Sequence, residues 1–68
     1  MVSKSDIGEG TVVKYESGGF EEILSVQRNT GGEPEKVTSR FISDGGEIVQ
    51  SAEVFLAFAD DFGGTVVR

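Results

Sequence analysis

Carboxylates are the chemically capable groups that this chain holds in quantity. Twelve Asp and Glu stand against six Lys and Arg, with no His and no Cys. Carboxylates do acid–base work when two of them converge on one substrate atom or when burial splits their protonation. The adjacent pairs here, Glu21-Glu22 and Asp60-Asp61, do neither by spacing. Neighbours on a strand point to opposite faces, and neighbours on a helix diverge by roughly 100°. They read as solvated surface acids. Lacking His and Cys, a nucleophile would be Ser, Thr or a carboxylate, with Lys or a carboxylate as its base. Lys4, Lys14 and Lys36 sit in polar stretches that give no apolar pocket to depress a pKa. No catalytic, cofactor-binding or metal-binding site is expected, and the chain reads as non-enzymatic.

Glycine-rich loops are the other chemical possibility. Ser43-Asp44-Gly45-Gly46-Glu47 precedes an expected helix, whose N-terminus could receive an anion. Asp44 and Glu47 already put negative charge there, the loop has no Lys, and neither GxxxxGK[ST] nor GxGxxG occurs. The spaced Asp ligands of a calcium loop are also missing. A capped turn is the expectation.

The elements follow from four glycine pairs, at residues 18–19, 31–32, 45–46 and 63–64, which punctuate the chain as turns. Residues 11–17 (TVVKYES) alternate Val13 and Tyr15 against Lys14 and Glu16, as a strand does. Residues 20–28 (FEEILSVQR) place Phe20, Leu24 and Val26 on one strand face, interrupted by Glu22. A short helix would group Phe20, Ile23, Leu24 and Gln27, but strand is preferred because residues 29–34 are turn chemistry leading to a partner. That partner, residues 36–43 (KVTSRFIS), alternates Val37, Ser39 and Phe41 against Thr38, Arg40 and Ile42. From 47 to 62, Ile48, Ala52, Phe55, Ala59 and Phe62 recur at helical spacing, widened by Val49 and Leu56. Ser43 or Asp44 would cap this helix, and Gly63 stands where a C′ glycine belongs. Residues 65–68 (TVVR) are β-prone and either add a short edge strand or fray. The fold class is α+β: one domain over residues 1–68, a three-stranded antiparallel meander followed by one C-terminal helix. With no disulfide framework, its core must be apolar.

Charge is unevenly spread. Residues 1–40 hold seven acids and five bases; residues 41–68 hold five acids and one base, Arg68. On the expected helix, Glu53 and Asp60 line up at i, i+7, about 10 Å apart, with Asp61 and Glu47 further round the solvent side. No cation on it balances them. Val54 and Phe58 lie outside the apolar stripe beside these acids, as an interface anchor with a charged rim would. The plain alternatives are acids that keep a small protein soluble and a Phe58 buried at the core edge.

A short, Cys-free, acidic chain of strands followed by one acidic helix resembles the phage-encoded anti-CRISPR proteins. The resemblance spans the whole chain in size, composition and element order, and rests on no motif. It implies an inhibitor that presents carboxylates where a bacterial CRISPR-Cas effector subunit expects DNA phosphates; the absence of Cys and the polar residues 1–10 give the host cytoplasm as the expected location. Glu47, Glu53, Asp60 and Asp61 would make the contacts, with Glu21, Glu22, Glu33 and Glu35 as a second patch. The net charge of −6 argues against direct binding to nucleic acid or anionic lipid. No stretch approaches the roughly 20 apolar residues of a membrane span, and a monomer is expected. The competing expectation is a small structural or adaptor protein, such as a phage assembly component, that binds through Val54 and Phe58 or by strand addition at a sheet edge.

Overall fold

Strands are the largest share of the regular structure, and the computed structural model describes all 68 residues. After a 3₁₀ turn (Lys4–Asp6) come β1 (Val12–Lys14), β2 (Phe20–Arg28), β3 (Pro34–Phe41), β4 (Glu47–Ser51), α1 (Ala52–Asp61) and β5 (Thr65–Val66). The strands form one antiparallel sheet in the order β4-β3-β2-β1-β5. The fold is α+β as expected, with five strands instead of three. β4 lies at one edge and β5 at the other, so α1 carries the chain across one face of the sheet. Between them Phe55, Ala52 and Ala59 pack on Val13, Tyr15, Ile23 and Val37. Val2 and Ile7 close this core from the N-terminal segment, a contribution its polar composition did not announce.

The largest correction concerns residues 47–62. The helix begins at Ala52, and Glu47–Ser51 is a strand paired with β3, Glu47 opposite Arg40 and Ser51 opposite Lys36. Two local devices decide this. Gly45, at φ +73°, turns the chain back along β3, where a side chain would be strained. Ser51 then caps α1, its hydroxyl accepting from Val54 N–H at 3.1 Å; neither Ser43 nor Asp44 does so. The expected core face is correct for Ala52, Phe55 and Ala59, whereas Ile48 is 39% and Phe62 56% exposed.

The second correction concerns β2, whose inward residues are Glu21 and Ile23, not Phe20 and Leu24. A register shift between Ile23 and Ser25 then returns Val26 to the core side. An extra residue in one strand flips every later side chain, which is why a strict two-residue alternation misread this segment. β3 keeps its expected faces, with Val37 and Ser39 buried.

The helix ends in a Schellman motif: Gly64 N–H donates to Ala59 C=O at 2.7 Å and Gly63 N–H to Asp60 C=O at 3.4 Å. Gly63 has φ +67°. A Cβ on Gly64 would stand 2.9 Å from Val13 Cγ1 and 3.0 Å from the Tyr15 ring. The glycine pair thus lets the chain leave the helix and press directly onto β1.

Candidate functional site

The acids of α1 are the starting point. Glu53, Asp60 and Asp61 are all exposed, and the helix carries no basic residue. Glu53 lies in the first turn, where a carboxylate meets the positive end of the helix dipole. Asp60 and Asp61 occupy the last turn, where the dipole is negative. Each acid at that end is unfavourable by about 0.3–1 kcal/mol at low salt. Glu16 lines the same surface groove as Asp60, which adds a further negative charge.

Glu47 does not belong to this array. It pairs in register with Arg40, whose neighbour Ser39 is buried, so Glu47 lies on the sheet face turned away from α1. Lys14, Lys36 and Arg40 alternate with inward residues in the same way and occupy that outer face. The helix layer is therefore anionic, whereas on the outer face Lys14, Lys36 and Arg40 stand among Glu22 and Glu47.

The second patch divides. Glu21 is buried: its carboxyl oxygens accept from the Tyr15 hydroxyl and, at 2.6 Å, from the Ser39 hydroxyl. It cannot meet a partner, which corrects its reading as a surface acid, and it lines none of the surface grooves. Burial first, then the hydrogen bond to Glu21 and that residue's charge, push the Tyr15 phenol far above its ordinary value of 10.0. Glu22 is half-buried and pairs with Arg40 at 3.2 Å on the outer face. Glu33 pairs with Lys4 at 2.8 Å. The hydrogen bond, then the charge, hold the Glu33 carboxyl below and the Lys4 amine above their ordinary values. Glu53 lifts Lys4 further. Glu33, Glu35 and Glu53 line one groove beside the N-terminus of α1, so part of the second patch joins the first.

Among the apolar candidates, Val54 is 54% exposed, as an anchor would be. Phe58 is half-buried in an aromatic cluster, edge-on to Tyr15 at 5.4 Å and to Phe41 at 6.1 Å. The exposed aromatic of this cluster is Phe62, tilted against Phe58 at 4.6 Å and next in sequence to Asp61. Sequence reasoning placed Phe62 in the core and so overlooked it. Its position just before a glycine C-cap was the signal, because there the helical stripe ends.

These features define a small two-layer α+β protein with a charged, partly aromatic helix face. Comparison with protein-family models, curated proteins and solved structures found no match to this chain.

Proposed function

We propose that this protein is a non-enzymatic inhibitor whose anionic helix face occupies a basic nucleic-acid-binding site on a partner protein. The supporting observation is the placement of Asp60 and Asp61 in the last turn of α1, beside Glu16 and with no cation on the helix. Acids that served solubility alone would sit anywhere on the surface. These two sit where the helix dipole opposes them. A groove lined by Lys and Arg to hold a phosphate backbone also holds fixed carboxylates, and the opposite charges steer association. The resemblance to anti-CRISPR proteins names the partner as a Cas effector subunit kept from its target DNA. The contacts are Asp60, Asp61 and Glu53, with Glu33 and Glu35 at the far end of the helix and Val54 and Phe62 between and beside them.

The test is DNA retention by such an effector in a mobility-shift assay. Saturating wild-type protein should release the DNA, and excess duplex should displace the protein. Replacing Asp60 and Asp61 by Lys should weaken that effect strongly while raising stability by about 0.3–1 kcal/mol per site, read by denaturant midpoint. Joint loss of binding and gain of stability separates a functional surface from a structural one. DNA that stays bound at saturation removes the mimicry reading and favours the adaptor, with Val54 and Phe62 as its anchor.

A further inference from the structure

β4 is an open sheet edge, and its backbone orientation can be read from its neighbours. Ile42 N–H donates to Phe20 C=O, and Gly45 N–H to Phe41 C=O. In an antiparallel ladder, bonding alternates along each strand. Arg40 therefore bonds toward β2, while Ser39 and Val37 bond toward β4. Their β4 partners are Ile48 and Gln50, so the N–H and C=O of Val49 point out of the sheet. Outside the strand ladders and the helix, no backbone hydrogen bond involves residues 47–50.

Open edges are usually guarded by Lys, Pro, a bulge or brevity. β5 is guarded by brevity, with two residues. β4 has five, reads EIVQS, pairs with β3 without a register shift and leaves Val49 62% exposed.

We propose that β4 pairs antiparallel with β4 of a second copy, with Val49 on the two-fold axis, to give a continuous ten-stranded sheet. The segment is its own complement in this register. Glu47 faces Ser51, Ile48 faces Gln50 and Val49 faces Val49, so no like charges are opposed. A parallel pairing would instead set Glu47 beside Glu47. Lys36 is the β3 neighbour of Ser51, which places it two strands, roughly 10 Å, from Glu47 of the second copy on the same face. That attraction occurs twice by symmetry. The occupant is thus another copy of this chain in preference to an unrelated strand. The sequence reading expects a monomer and takes residues 47–51 as helix, so this particular edge exists only once β4 is seen.

The inference is independent of the inhibitor reading, and salt separates the two. Each chain carries −6, so screening favours self-association, whereas it weakens capture by a basic partner. Sedimentation over rising protein concentration should show a monomer–dimer equilibrium that shifts toward dimer with added salt. Val49→Pro removes an outward N–H that no intrachain bond uses and should leave a folded monomer, with circular dichroism reporting the fold. Val49→Cys places two thiols across a hydrogen-bonded pair at about 5.5 Å between Cα atoms, within disulfide reach. The natural chain has no Cys, so the readout is clean. Its oxidation to a linked dimer should run at least about tenfold faster than that of Val54→Cys, a similarly exposed control on α1. A one-chain mass throughout the concentration and salt series overturns the proposal. So does Val49→Cys cross-linking no faster than the control.

Discussion

A carboxyl group sealed inside a 68-residue protein holds its place only if donors meet it there. Glu21 has two, Tyr15 and Ser39, from β1's end and from β3, and no buried side-chain polar atom is left without a partner. Tyr15→Phe removes one donor and should destabilise the fold by about 1.5–3 kcal/mol, the range for a hydrogen bond to a charged group. The alkaline side gives a sharper test. The folded phenol keeps its proton past the pH at which an unfolded chain releases it. Below 10.0 both states are protonated and this contribution is complete. Above it the unfolded state binds fewer protons, so stability should fall by about 1.4 kcal/mol per pH unit. Tyr15 is the chain's one tyrosine and there is no Trp, so phenolate absorbance follows it without ambiguity. Titration of the native protein near 10.0 would place the hydroxyl in solvent.

At the scale of elements, the deciding position is Ser51. It ends β4 and caps α1 in a single residue. Ser51→Ala should cost about 0.5–2 kcal/mol in a denaturant melt, whereas Ser43→Ala should have no comparable effect. Equal losses from the two would return the helix start to residue 47. The presence of β2 and β3, the faces of β3 and the helix face at Ala52, Phe55 and Ala59 were legible from period and turn chemistry, whereas the register shift in β2 hid which of its residues point inward. The helix start was not legible, because Ile48 and Ala52 are four apart and satisfy a helical period even though a strand separates them. Pairing with β3, a contact outside any local window, made the choice. Glu21 was illegible for the same kind of reason: its burial depends on Ser39, eighteen residues away. Glu53, Asp60 and Asp61 lie exposed on the helix, where their spacing put them. Their meaning changed once the helix end was known, because only then did Asp60 and Asp61 fall in the last turn.

Across the whole molecule, the chain is a run of neighbouring hairpins with one long closure. β2, β3 and β4 each meet the strand before them in sequence, but β5 returns to pair Val66 with Val13. That contact joins the two ends of the fold through only two strand residues, with Val67 N–H and Val12 C=O continuing it. Such a closure orders many residues' worth of loop for few hydrogen bonds. Its consequence is a gradient of local opening along the chain. In native-state hydrogen exchange, the amide of Val67 should exchange by unzipping of β5 alone, at a free energy well below that of global unfolding. The β2–β3 ladder around Val26 and Val37 should exchange only when the whole domain opens. Under increasing denaturant the two classes should converge from different starting values, and the same order should appear in refolding, with the β2–β3 hairpin early and β5 docking last.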